Sequence, residues 1–290
     1  MITLEPNKYI LAVSGGVDSI VLLHKLRMNS DIVVAHFDHG IRDDSREDAQ
    51  FVSELCRIYD LPFVAERKEL GANASEAIAR DHRYAFLRNV MNQHGAAAII
   101  TAHHQDDVIE TAVINTIRGT KRRGFVSLQS TQELVRPLLN TSKAEIYDYA
   151  LLNGLEWRED STNHDQKYLR NKVRAQLKKT LNQESRSQLL KLLAVIETDN
   201  RQIDEVVNEI LTDSEHSLAR KFIGLQPPEI AAEVIAGWLR KNKATFNKDT
   251  ILRLIKAHET LRNGSKIDID AASFCQLSKD QITLIRRTSV

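Results

Sequence analysis

The strongest constraint on this chain is an alternation. Short apolar runs, YILAVS at 9–14, DIVVAHFD at 31–38, PFVAERK at 62–68 and AAAIITA at 96–102, are each followed by a longer stretch of helical periodicity. A fifth strand-like run, LVRPLL at 134–139, precedes another helical stretch. Apolar strands separated by helices belong to a parallel sheet covered on both faces, which predicts an α/β fold with a doubly wound, mainly parallel sheet. The punctuation agrees: the helical pattern of 74–94 stops at Gly95, and Ser142 with Glu145 makes a capping box before a helix that stops at Gly154.

Near residue 183 the alternation ends. Leu189, Leu192, Leu193, Ile196, Ile203, Val207 and Ile210 then fall on one helical face, read as the seam of a bundle. Further helical patterns follow Pro228 and Asn247, and two strand-like runs, KIDID and QITLIR, come last. The expected organisation is a sheet domain over 1–183 and a small, mainly helical domain over 184–290 with a terminal strand pair.

Composition excludes several classes. With 42% hydrophobic and 27% charged residues in 290, the chain has the makeup of a folded globular protein. Glu5, Pro6 and Lys8 interrupt any apolar leader, and no run approaches the ~20 apolar residues of a membrane span, so a cytoplasmic protein without a membrane partner is expected. Cys56 and Cys275 lie far apart with no Cys-x-x-Cys, against a disulfide framework or a cysteine-bound metal. A formal net charge of +1 makes no global case for nucleic acid, so local clusters have to make it.

The stretch LAVSGGVDSIVLLHKL, 11–26, sits at the carboxyl end of the first strand, where ligands collect in open parallel sheets. Gly15 and Gly16 let the backbone turn tightly, and successive N–H groups at a helix N-terminus favour an anion. Ser14 and Ser19 add hydroxyl donors. The Gly-Lys-Ser/Thr of a Walker loop and the Gly-x-Gly-x-x-Gly of a dinucleotide fold are both missing, against kinase chemistry and hydride transfer. Asp18 beside phosphates makes sense through Mg²⁺.

SGGVDS resembles the pyrophosphate-binding loop of the ATP pyrophosphatases, which cleave ATP between its α- and β-phosphates. The resemblance implies an adenine nucleotide alpha-hydrolase-like fold, with Ser14, Gly15, Gly16, Val17, Asp18 and Ser19 holding ATP and its leaving pyrophosphate. AHFDHGIRDDS, 35–45, is similar to a segment of the tRNA(Ile)-lysidine synthetases. That likeness implies Asp38 as an ATP or Mg²⁺ contact and His39 as a phosphate neighbour. By themselves His36, Asp38 and His39 alternate faces on a strand and do not converge as a zinc site.

HHQDDVIET, 103–111, resembles the signature of the same synthetases. A three-residue spacing stacks Asp107 and Glu110 on one helical face. The resemblance implies that they hold the ammonium of a lysine substrate. A lysine amine, with pKa near 10.4, is neutral in roughly one molecule in 10³ at pH 7, a cost of roughly 4 to 5 kcal/mol, and carboxylates favour the ammonium further. One of the carboxylates, His103 or His104 must therefore accept the proton late.

Two basic segments follow. RGTKRRGFVSLQS, 118–130, carries Arg118, Lys121, Arg122 and Arg123, and matches the synthetases in part, with Lys121 where relatives carry a second glycine. WREDSTNHDQKYLRNKVR, 157–174, is similar to the family's Asp-x-Ser-Asn and Arg-Asn-x-Ile-Arg segment with Thr162 inserted. Lys167, Arg170, Lys172, Arg174, Lys178 and Lys179 run without an acid and, with Arg136, suggest a basic surface for RNA phosphates.

Five motifs in order thus resemble the tRNA(Ile)-lysidine synthetases in a short form. The resemblance implies ATP and Mg²⁺, with Asp18 and Asp38 at the metal, and free lysine and tRNA(Ile) bearing CAU as partners. In that family the first-anticodon cytidine attacks ATP through its position-2 oxygen, and lysine then displaces AMP, changing codon reading from AUG to AUA. The oligomeric state is open, a homodimer included. A tRNA cytidine thiolase would need clustered cysteines. A non-catalytic ATP-binding regulator would need neither the HHQDDVIET carboxylates nor the basic segments.

Overall fold

The computed structural model describes every residue except 1, 3, 29–30, 41–44, 72–74, 160–168, 261 and 288–290. The chain divides into two compact units, Met1–Ile196 and Glu197–Val290.

In the first unit β1 (Lys8–Ala12), β2 (Asp31–Asp38), β3 (Phe63–Arg67), β4 (Ala98–Ile100) and β5 (Leu134–Val135) form one sheet in the order β3-β2-β1-β4-β5. Every pairing is parallel. Strand order reverses between β1 and β4, with Ile10 flanked by Val33 and Ile99.

Successive side chains of a strand point to opposite faces, so sequence neighbours enter different cores. Ile10, Val33, Ala35 and Ile99 pack with Tyr84, Phe86, Leu87 and Val90 of α3 (Glu76–His94). Leu11, Ile32, Val34 and Ile100 pack instead with α1 (Val17–Leu26), α2 (Ser45–Ile58) and α6 (Lys143–Leu152) through Ile20, Val52 and Ile146. The unbroken apolar strands have both faces covered, as a parallel sheet requires. Ser75 caps α3 by accepting the Ile78 N–H, and Gly95 ends it at φ +60°, a left-handed position that glycine adopts without strain. Helix α4 (Gln105–Ile117) leaves β4, followed by the short α5 (Arg122–Phe125), α7 (Leu169–Thr180) and the long α8 (Gln183–Ile210), within which the two units meet.

The second unit holds α9 (Arg220–Leu225), α10 (Pro228–Lys241), α11 (Lys248–Thr260) and an antiparallel sheet. The sheet comprises β6 (Ser217–Ala219), β7 (Lys266–Asp270), β8 (Ser273–Leu277) and β9 (Gln281–Arg286) in the order β6-β9-β8-β7. Trp238 is wholly buried at the centre of this core, and a Cβ added at Gly237 would lie 2.4 Å from Val207 Cγ1, so α10 needs glycine there.

Two expectations are corrected. KIDID and QITLIR do not pair with each other, because SFCQL inserts between them as β8. That strand is hard to read because its buried positions include Ser273, whose hydroxyl is satisfied by Asp270 at 2.7 Å, so its alternation is not apolar against polar. The α8 seam is covered only in part: Leu193 and Val207 are buried, whereas Leu192 is 55% exposed. Among the described residues no helix is long and apolar enough to cross a membrane.

Candidate active site

The loop from β1 to α1 is braced from within. The Ser14 N–H donates to Ser19 Oγ at 3.2 Å, and the Ser19 hydroxyl donates to the Gly16 carbonyl at 2.8 Å. Gly15 takes φ +95°, a conformation that side chains resist. Gly16 caps α1 with no side-chain bond, so the first turn presents its N–H groups outward, as an anion site requires. Outside the loop, the Arg158 N–H donates to the Gly15 carbonyl at 3.0 Å, and the Arg158 guanidinium pairs with Glu47 and Asp48 at the start of α2.

At the end of β2, buried His36 meets the Val13 carbonyl through Nδ1 at 2.9 Å, and burial pushes its pKa down, so it pins the loop as a neutral donor. Both oxygens of Asp38 are engaged: Oδ1 accepts the Gly40 N–H at 2.8 Å and Oδ2 accepts Arg67 Nη1 at 2.6 Å. Burial raises the Asp38 pKa, but Gly40, Ser45 and Arg67 outweigh it and hold the carboxyl below its ordinary value. Gly40 stands at φ +61°, where a Cβ would lie 2.9 Å from Glu69 Cα. The His39 ring packs edge-on against Phe37 with centroids 4.8 Å apart.

Beyond β4, His104 caps α4. Its Nδ1 accepts the Asp106 N–H at 3.2 Å while Asp107 Oδ2 accepts the His104 N–H at 3.0 Å. With Nδ1 accepting, the ring proton lies on Nε2, which is 3.7 Å from Asp18 and 3.6 Å from Asp107. Strand reversal therefore brings the β1 loop and the β4 signature onto one imidazole. Lys143, the first residue of α6, donates to Asp18 at 2.6 Å.

Glu110 is 2% exposed and forms a two-pronged pair with Arg174, at 2.6 Å from Nε and 3.0 Å from Nη2. Arg174 also stands 3.6 Å from Asp107, and Arg170 Nε lies 3.7 Å from Glu110. Burial pushes the Glu110 carboxyl up, with Arg174 pulling against it. Burial also raises Asp107, but His104, His103 and the His104 N–H overcome it and leave Asp107 low. His103 bonds Thr101 Oγ1 at 2.8 Å, and burial, aided by Arg136, Arg83 and Arg80 against Asp107, pushes it down to about 3. His103 is thus neutral near pH 7 and a weak proton acceptor.

The basic residues divide. Arg118, Lys121, Arg123 and Lys172 are exposed and Arg122 is half-buried, whereas Arg170 and Arg174 turn toward the carboxylates. Arg136, directly after β5, is 7% exposed, with its guanidinium on the Gln129 carbonyl. Lys121 has φ −78°, open to any residue, while the left-handed turn falls on Gly119 at φ +67°. Ser161, Thr162, Asn163 and Lys167 lie outside the described residues.

Sequence reasoning missed Lys143, which meets Asp18, and Arg186, which meets Asp106. Neither has a local signal, since tertiary folding alone brings them across. Among the described residues no three His, Cys, Asp or Glu side chains converge as a metal cage. Asp18, half-buried at the loop, fits a Mg²⁺ held mainly by phosphates and water, and the engaged Asp38 fits it less well.

A family model described as PP-loop domain matches residues 2–181. A tRNA(Ile)-lysidine synthase of Thermotoga sp. strain RQ2 is 32% identical over 243 residues, covering 78% of this chain and 59% of that protein. The enzyme of that name from Enterococcus faecalis is 37% identical over 222 residues, covering 71% and 47%. The chain therefore spans about half the length of the curated relatives it matches. Among solved structures, a U34-tRNA thiolase from Methanococcus maripaludis with its [4Fe-4S] cluster superposes with a TM-score of 0.55 at 16% identity, covering 67% of this chain and 74% of that one, a likeness of fold.

Proposed function

Because the chain belongs to the ATP-binding PP-loop domain family, we propose that it is a tRNA(Ile)-lysidine synthetase, joining lysine to the position-2 carbon of the first-anticodon cytidine of tRNA(Ile) bearing CAU. The observation that carries the reading is the meeting of Asp18, His104, Asp107 and Glu110 at the strand reversal, an anion loop beside a buried seat for a cation. The curated relatives supply the choice of reaction.

In this reading the α1 N-terminus, Ser14, Gly15, Gly16, Val17 and Ser19 hold the pyrophosphate portion of ATP, with His39 near the phosphates and Asp38 shaping the adenosine side. Mg²⁺ supported by Asp18 supplies charge neutralisation on the phosphates. The cytidine position-2 oxygen attacks the α-phosphorus, and the bond from that phosphorus to the bridging oxygen breaks, releasing pyrophosphate. The lysine side-chain nitrogen then attacks the position-2 carbon, the carbon–oxygen bond breaks, and AMP leaves with that oxygen.

Asp107 and Glu110 seat the lysine ammonium. Glu110 takes its proton, since burial makes it the more basic of the two carboxyls. Arg174 pairs with both oxygens of Glu110, so in this reading lysine takes the seat as the guanidinium turns away. Arg118, Lys121, Arg122, Arg123 and Lys172 face the RNA, joined by Arg170 and Arg174 once they turn from the carboxylates, and residues 184–290 dock the tRNA away from its anticodon.

A thiolase is disfavoured on chemistry. Burial pushes the Cys56 thiol up to about 11 and the Cys275 thiol to about 12, so both are inert near neutrality. The deciding experiment incubates the protein with ATP, Mg²⁺, labelled lysine and tRNA(Ile) bearing CAU. Label in the RNA that depends on ATP supports the reading, and ATP turnover without label in the RNA rejects it.

A further inference from the structure

A second cationic cluster lies on the α3 side of the sheet, next to His103 and apart from the N–H groups of the α1 loop. Arg80 and Arg83 stand with their guanidinium carbons 4.8 Å and 5.4 Å from the centroid of the Tyr84 ring. Arg136, just past β5, meets the same Tyr84 side chain. Tyr84 and Arg136 are each 7% exposed, Arg136 Nε is buried without a hydrogen-bond partner, and the Tyr84 hydroxyl faces the Arg83 and Arg136 guanidiniums, which can only donate to it, so its own proton is left over. Among the described residues no carboxylate forms an ion pair with Arg80, Arg83 or Arg136. Burial, opposed by Tyr84 and aided by Arg80, holds Arg83 and Arg136 below the ordinary guanidinium range.

Like charges gathered in a partly desolvated place, with donors left over, are costly unless an anion completes them. Guanidiniums match the paired oxygens of a phosphate. In the function proposed above, the nucleotide's pyrophosphate has its own cradle in the loop between β1 and α1. Positive charge runs instead from Arg83 to Arg170 and on along α7 through Lys172.

We propose that Arg80, Arg83, Tyr84 and Arg136 form a second oxyanion site, which holds one backbone phosphodiester of the RNA substrate. The Tyr84 hydroxyl donates to one non-bridging oxygen and the guanidiniums flank the other, fixing the strand beside the seat of Asp107 and Glu110. The RNA part of this assignment rests on the function proposed above.

Two variants test it. Tyr84→Phe removes the hydroxyl and keeps the ring, so the variant should still fold cooperatively while RNA affinity falls about fivefold. Arg83→Gln should lower RNA affinity about tenfold and make the slope of log affinity against log salt shallower by about 1. ATP affinity should be unchanged in both. Arg80→Gln repeats the measurement should Arg83→Gln misfold.

Unchanged RNA affinity in folded variants overturns the proposal, as does loss of ATP affinity with RNA affinity intact. Inorganic sulfate provides a separate arm, and its stabilisation of wild type should shrink in both variants. If wild type binds no tRNA, the functional reading fails and with it the phosphodiester assignment. The sulfate arm then decides the oxyanion site alone, and equal sulfate stabilisation in all three proteins removes it.

Discussion

Replacing Arg174 by alanine isolates the cation seat. Glu110 is 2% exposed, and both its oxygens are bonded to that guanidinium, with Arg170 at 3.7 Å the nearest remaining cation. Stripping one partner from a buried pair costs about 3–5 kcal/mol when the survivor stays charged. For a unit of this size each kcal/mol lowers the melting temperature by about 2–4 °C, so a drop of about 6–20 °C is expected at neutral pH. The pH dependence gives the signature. Burial already raises the folded Glu110 pKa, and loss of Arg174 raises it further. A carboxyl whose folded pKa exceeds its unfolded value binds its proton more tightly when folded, so it loses stability as pH rises through the folded pKa. The deficit of the variant should therefore be small below the ordinary glutamate range and grow toward neutrality, as read by urea denaturation across pH. A deficit that does not vary with pH would show that Arg174 acts by packing, and the charge argument would fail. Lysine should also stabilise the variant more than wild type without RNA, because nothing has to be displaced. Equal or absent stabilisation would remove Asp107 and Glu110 as the lysine seat.

Other perturbations separate the parts of the site. Asp18→Ala should abolish exchange of labelled pyrophosphate into ATP, and retained exchange would remove Asp18 from the nucleotide site. Glu110→Gln should raise the KM for lysine at least tenfold while ATP affinity, measured by titration, stays as in wild type. Gly40→Ala should destabilise the first unit by more than about 1–2 kcal/mol in chemical denaturation, since it adds a left-handed penalty to a 2.9 Å approach to the Glu69 backbone.

The parallel sheet was legible because its strands are apolar on both faces and its helices carry their own start and stop signals, the Ser142 cap and Gly95 among them. β8 was not, since a buried serine bonded to Asp270 looks polar in sequence and apolar in its setting. At the site, the sequence shows that Asp107 and Glu110 share a face, because helical spacing is local. It cannot show that Arg174 crosses to them, or Lys143 to Asp18, because those pairings are made by packing between distant segments. Arg136 misleads for the complementary reason: as a charge it reads as surface, yet it follows a strand into a buried cluster.

The bond from the Arg158 N–H to the Gly15 carbonyl has a consequence for biosynthesis. One of the loop's braces arrives only when residue 158 has been made, well over a hundred residues after Gly15. At about 5–20 residues per second that interval is on the order of ten seconds or more. A growing chain therefore carries the complete SGGVDS motif well before it carries a complete anion cradle. Ribosome-bound chains ending before Arg158 should hold ATP less tightly than those extended past it.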